Sequence, residues 1–222
     1  MTDTTKTPGW EAYVHKYKPA KANNITLLLL HGTGGNENSL TELAEELLPE
    51  SGILSPRGKV LENGMPRFFR RIAEGVFDEV DLRYRTTELT QWVLAAAEQY
   101  GFDQGGLVAL GYSNGANIAA SVLLSHPNVL AGAVLMRAMS PYIVDRPIVL
   151  PESPVLLLNG DRDPMVTLNK ASLLAEQLLT AGARLKRSVV HAGHSLTEPE
   201  LKTVKDFLIE FFERKANGSR SV

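Results

Sequence analysis

The sequence predicts an α/β fold with a mostly parallel central sheet and helices on both of its faces. Short apolar runs alternate along the chain with longer segments whose apolar residues recur at helical spacing, as strands joined by crossover helices must. Two of the runs, Ile25 to Leu30 (interrupted only by Thr26) and Leu107 to Leu110, are apolar without alternation, which is expected of strands buried on both faces. The chemically versatile residues gather just after such runs, at the carboxyl ends of the strands, where open α/β sheets place their ligands.

Trp10 to Tyr17 alternates loosely and is read as an early edge strand. Ile25 to Leu30 is a buried strand ending in the glycine-rich turn His31-Gly32-Thr33-Gly34-Gly35. Ser39-Leu40-Thr41-Glu42 has the form of a capping box, and its helix is expected to run to Pro49. Gly52 to Ser55 is a short strand. Residues 56–80 are expected to form a long irregular connection; above about 12–15 residues such connections are functional or disordered. Met65, Phe68, Phe69, Ile72, Val76 and Phe77 make this one too apolar for disorder. Helical spacing of Leu89, Trp92, Val93 and Ala96 predicts a helix from about Asp81 to Tyr100. A strand over 106–112 and a helix over 114–125 follow, the latter stopped by His126-Pro127. Val129 to Met136 and Pro154 to Asn159 are strands, Leu168 to Thr180 a helix, and Leu185 to Val190 the last strand. Thr197-Glu198-Pro199-Glu200 caps a final helix to about Arg214, and the polar tail 214–222 is expected to be frayed.

With 222 residues and no Pro/Ser/Gly-rich linker, the chain is expected to form one domain, 1–222, with 56–80 as a pocket-wall segment. A net charge of −2 gives no general attraction to nucleic acid or anionic membrane. The absence of cysteine excludes disulfides, thiolate metal sites and a cysteine nucleophile, and fits a cytoplasmic protein. MTDTTKTPGW has neither the basic nor the apolar region of a signal peptide, and no apolar run approaches the roughly 20 residues of a membrane span.

The most informative stretch is Gly111-Tyr112-Ser113-Asn114-Gly115. It joins a predicted strand to a predicted helix, the setting in which G-x-S-x-G forms a nucleophile elbow and lifts a serine hydroxyl above the sheet. A serine hydroxyl is a weak nucleophile, so Ser113 needs a base and the base an orienting acid, in the chain order Ser, Asp/Glu, His. The acid is sought in Asn159-Gly160-Asp161-Arg162-Asp163-Pro164. Asp163, held extended before a proline, is the preferred acid; Asp161 is expected to brace the loop through Arg162. Of the two histidines in His191-Ala192-Gly193-His194, His194 is the preferred base and His191 a structural residue closing the strand. His15 and His126 are expected at the surface, and His31 is expected to shape the glycine-rich turn. An oxyanion needs fixed donors, and the backbone amides of Asn114 and Thr33 are the candidates. The turn lacks the Gly-Lys-Ser/Thr of a P-loop and the glycine spacing of a dinucleotide site. No metal site and no cofactor are expected.

These pieces resemble the phospholipase/carboxylesterase family of α/β-hydrolases, through LLLLHGTGGNE at 27–37, GYSNGAN at 111–117, NGDRDPMV at 159–166 and AGHSLT at 192–197. The segment LSPRG followed by ENGMPRFFRR, over 54–71, is similar to a bacterial carboxylesterase subgroup related to a hydroquinone-responsive hydrolase; acyl-protein thioesterases are more distant relatives. The resemblance implies an α/β-hydrolase fold, Ser113, Asp163 and His194 as catalytic residues, and the Thr33 and Asn114 amides as oxyanion donors. The expected activity is hydrolysis of small or short-chain carboxylic esters, without a cofactor. Thioesterase or lysophospholipase action on the same three residues, and a non-catalytic binding protein on the same scaffold, are the alternatives. The expected partner is a small-molecule ester, not nucleic acid or a membrane interior, and a homodimer is a further candidate assembly. Met65, Phe68 and Phe69 are candidate substrate contacts. Arg67, Arg70 and Arg71 are expected to be solvated, with binding of a substrate carboxylate as their other reading.

Overall fold

The computed structural model describes residues 9–21, 24–144, 146–150 and 152–218, with side chains as far as Arg214. A 3-10 turn, Trp10–Ala12, leads into β1 (His15–Lys18). Then come β2 (Thr26–Leu30), α1 (Thr41–Leu47) and β3 (Gly52–Pro56). Two small hairpins follow, β4 (Val60–Glu62) with β5 (Met65–Arg67), and β6 (Arg71–Ala73) with β7 (Val76–Phe77). Next are α2 (Glu79–Tyr100), β8 (Leu107–Tyr112), α3 (Asn114–Ser125), β9 (Gly132–Met136) and β10 (Pro154–Gly160). The chain continues through α4 (Leu168–Thr180), β11 (Arg184–Val190) and α5 (Glu198–Gly218).

Seven strands form one sheet in the order β1-β3-β2-β8-β9-β10-β11, parallel throughout except for β1, which runs antiparallel on β3 at one edge. Strand alternation gives each buried strand two apolar faces. On one face Leu28 and Leu30 join a core made by Leu89 and Trp92 of α2, Ile118 of α3 and Leu174 of α4. On the other, Leu27 and Leu29 pack with Ala44 and Leu47 of α1 and with Val204, Phe207 and Leu208 of α5. Each of the leucine, isoleucine, valine and phenylalanine side chains among these contributes about 1.5–3 kcal/mol through burial. Leu30, Gly111, Leu135 and Leu157 are neighbours in one row across four strands, so the segments after β2, β8, β9 and β10 all leave the sheet at the same edge.

The structure departs from the sequence expectations at several places. The Ser39 capping box does not form: the Ser39 hydroxyl accepts from the Asn36 amide, Leu40 occupies the cap position, and α1 starts at Thr41. The segment 56–80 is not irregular, because local hairpin pairing satisfies its backbone groups. Asp78 caps α2, accepting from the Asp81 amide, so that helix begins before Asp81. At the chain's end α5 is helical as far as Gly218; 219–222, the rest of the tail expected to fray, lie outside the described residues. His15 is half-buried rather than fully at the surface. Its ring packs between Trp10 and Trp92, with Nε2 2.7 Å from the Tyr100 hydroxyl. No helix among the described residues is long and apolar enough to cross a membrane.

Candidate active site

Ser113 stands between β8 and α3 with φ 52° and ψ −114°, a strained backbone conformation that few L-residues adopt. Its amide donates to the Met136 carbonyl at 2.8 Å, which ties the strained turn to β9. Glycine is needed on either side because the helix returns so close to the strands. A Cβ on Gly111 would lie 2.7 Å from Ala116 Cα, and one on Gly115 only 2.0 Å from the Leu30 carbonyl oxygen. Gly115→Ala is therefore expected to push α3 away from β2, with an overpacking cost of at least about 1–3 kcal/mol. Thermal unfolding followed by circular dichroism should show a melting temperature lowered by about 2–12 °C; an unchanged value would mean the contact yields without strain.

The loops after β8, β10 and β11 bring three side chains into one series. His194 Nε2 is 2.9 Å from Ser113 Oγ, and His194 Nδ1 is 2.8 Å from Asp163 Oδ2. The aspartate is an acceptor, so Nδ1 carries the proton and Nε2 is left to accept from the serine hydroxyl. Asp163 is buried, and its Oδ1 accepts from the amides of Met165 at 2.8 Å and Val166 at 3.1 Å, which fixes the carboxylate's orientation. Asp161 takes no part in this series. It pairs with His191 at 2.8 Å on the exposed side of the loop, so the brace expected through Arg162 is instead an Asp161–His191 pair. The bond from His191 holds the Asp161 carboxyl below its usual range.

Thr33 follows β2, and Asn114 is the first residue of α3, where helix amides have no intrahelical partner. Neither backbone amide has a hydrogen-bond acceptor among the described residues, and both residues border the same cleft as Ser113 and His194. His31 supports the turn: its Nδ1 donates to the Gly32 carbonyl at 2.7 Å and its Nε2 accepts from the Gly58 amide at 3.0 Å. Burial lowers the His31 pKa, which favours the neutral ring this bonding pattern requires.

The cleft is small, with a volume of about 30 Å³. None of the three expected substrate contacts borders it. Phe68 and Phe69 are fully buried, Phe68 against the His31 ring and Phe69 against Phe77, because large aromatic rings gain more from core burial under the hairpins than from a polar cleft. Met65 is 41% exposed and packs beside Gly34. The segment 56–80 instead contributes Arg67, Arg71, Gly75 and Phe77 to the cleft wall, facing Met139, Met165 and Val166 from elsewhere in the chain. The arginines divide. Arg70 is mostly exposed and pairs with Asp78 and Asp81, as expected of a solvated residue. Arg67 is buried, and Arg71 is only partly exposed.

Sequence reasoning missed Arg137. It follows β9 with φ 60°, and its side chain is fully buried beneath the loop that carries His194. It makes a two-pronged ion pair with Glu200 at 2.5 and 2.9 Å, and donates to the carbonyls of Gly193, His194 and Ser195 at 3.0, 3.1 and 2.6 Å. Its Nε is 4.0 Å from Asp163 Oδ2. The Tyr112 hydroxyl adds a further bond to the His194 carbonyl at 3.0 Å. The His194 loop is thus held by its backbone. The one available signal was positional, since Arg137 leaves the sheet edge that also carries Ser113 and Asp163.

The phospholipase/carboxylesterase family model matches residues 14–211. The chain belongs to this family. It is a hydrolase with the fold of a serine hydrolase family. MhqD of Bacillus subtilis (strain 168), named a hydrolase, is 44% identical over 199 residues, covering 88% of this chain and 98% of that one. The carboxylesterase of Bacillus cereus has a solved structure that superposes with a TM-score of 0.85 at 44% identity, covering 88% of this chain and 92% of that one. YahD, whose structure was solved with malic acid, matches with a TM-score of 0.83 at 31% identity, over 88% of this chain and 97% of its own.

Proposed function

We propose that this hydrolase cleaves short-chain carboxylic esters through an acyl-enzyme on Ser113. The observation that carries the proposal is the unbroken series from Ser113 Oγ to His194 at 2.9 Å and from His194 to Asp163 at 2.8 Å. In this reading His194 Nε2 takes the Ser113 proton as Oγ attacks the ester carbonyl. The tetrahedral oxyanion is held by the Thr33 and Asn114 amides, which are free to donate and need no reorganisation. His194 returns the proton to the leaving alcohol, then deprotonates the water that releases the acid. Asp163 keeps the imidazole in the required tautomer and stabilises its cation.

The size of the cleft supports a short acyl group. At about 30 Å³ it is well below the usual range of ligand sites, and two arginines on its wall disfavour a long alkyl chain. The YahD structure, solved with malic acid, likewise pairs this fold with a small molecule. These features favour a small ester over a lysophospholipid.

A fluorophosphonate probe tests the assignment directly. Intact protein is expected to gain one phosphonyl group, and peptide mass spectrometry should locate it on Ser113. A folded protein left unlabelled, or labelled elsewhere, would overturn the acyl-enzyme reading.

A further inference from the structure

Among the described residues, the wall of the cleft carries two guanidinium groups, Arg67 and Arg71, and no carboxylate. Both reach the same acid behind the wall, Glu62: Arg71 Nε donates to Oε1 at 3.0 Å, and Arg67 Nη1 approaches Oε2 at 3.4 Å. One carboxylate is thus shared between two cations, and the wall keeps one positive charge in excess. Arg67 is held further by bonds from Nη1 to the Thr33 hydroxyl at 2.7 Å and from Nε to the Phe69 carbonyl at 3.1 Å. Burial lowers its pKa, Glu62 opposes the shift, and Arg71 adds to it, as expected of a cation short of compensation. The terminal Nη1 and Nη2 of Arg71 and the Nη2 of Arg67 have no partner among the described residues.

Burying a guanidinium with half a counter-charge costs stability, so its position beside a nucleophile calls for a functional reason. We propose that Arg67 and Arg71 form an anion subsite that binds a carboxylate on the ester substrate. The proposal rests on the ester-hydrolase reading above and names the substrate class within it: a short ester with a free carboxylate on one arm. A single surplus charge matches a monoanion better than a phosphate dianion. Planar guanidinium donors fixed at their inner ends suit the two oxygens of a carboxylate. Arg71 is the informative residue to change, because Arg67 also braces Thr33 in the oxyanion turn.

The test compares kcat/KM for two ester pairs. Monoethyl glutarate against ethyl hexanoate places the charge on the acyl arm, and acetoxyacetate against ethyl acetate places it on the alcohol arm. The native enzyme is expected to prefer the charged ester of at least one pair by about 10-fold or more, and Arg71→Gln to reduce that preference by about 10–100-fold. Arg71→Lys should recover part of it. No preference in either pair, or one that Arg71→Gln leaves unmoved, would overturn the subsite while leaving the hydrolase reading intact. If neither ester is cleaved and the fluorophosphonate fails to label Ser113, the hydrolase reading is what fails. The subsite is then judged by melting: glutarate should raise the melting temperature of the native protein but not of Arg71→Gln. Absence of that rise, or a larger rise with inorganic phosphate, would overturn the carboxylate assignment.

Discussion

Ser113→Ala is expected to lower kcat/KM for p-nitrophenyl butyrate by about 10⁴–10⁶-fold while the protein stays folded. The proposed mechanism gives two reasons. Alanine removes the nucleophile, and without its hydroxyl the His194–Asp163 pair has no proton to take from the enzyme. The residual rate would come from the oxyanion amides and from binding, which the substitution leaves in place. The change also removes little packing, because the elbow is held by backbone: Ser113 donates from its amide to Met136, and its carbonyl accepts from the Asn117 amide at 3.0 Å. Steady-state kinetics alongside a thermal melt makes the check. A rate within 10-fold of the native enzyme would remove Ser113 from the chemistry.

The second large effect is on stability. Glu200→Gln leaves the buried Arg137 guanidinium with only the more distant Asp163 carboxylate, 4.0 Å away, as counter-charge, and breaking a buried pair in this way costs about 3–5 kcal/mol. For a domain of this size that is a melting temperature lower by roughly 6–20 °C. Activity should also fall below the melting temperature, because Arg137 holds the carbonyls on either side of His194. Arg137→Met with Glu200→Leu separates the two effects. Removing both charges should recover most of the stability, while the loop carbonyls lose their donors and kcat stays low. Equal stability of Glu200→Gln and the native protein would show that the pair contributes no net charge compensation.

The same pair sets a pH dependence. Burial disfavours the charged form of Glu200, but the bonds from Arg137 and Thr197 together outweigh it and hold the carboxyl below its usual value of 4.5. A depressed native pKa contributes stability that is complete above about 4.5 and is lost as pH falls through the lower native value. Acid unfolding of Glu200→Gln should therefore be shallower below pH 4.5 than that of the native protein.

Much of the site was legible because its logic is local or ordinal. A glycine-flanked serine between a strand and a helix has one geometric meaning, and the order of acid and base along the chain follows from the direction of the parallel strands. The choice between Asp161 and Asp163, and between His191 and His194, rested on loop position, and the structure pairs the two rejected residues with each other. Hairpins were not legible in 56–80. Their strands are two or three residues long, too short for an alternation to register against a background of scattered apolar and charged residues.

The sequence by itself determined the fold class, the sheet's parallel character and the positions of Ser113, Asp163 and His194, since these follow from periodicity and from residue type at strand ends. Only the tertiary structure decided what lines the cleft. Phe68 and Phe69, in the link between the two hairpins, go into the core, and Arg67 and Arg71, at the hairpin ends on either side, stand at the site, a placement that depends on how the hairpins pair and not on a local pattern. Arg137 and Glu200 lie 63 positions apart in the chain. Their pairing is a long-range contact that no local pattern encodes, and it holds the loop from which His194 reaches Ser113.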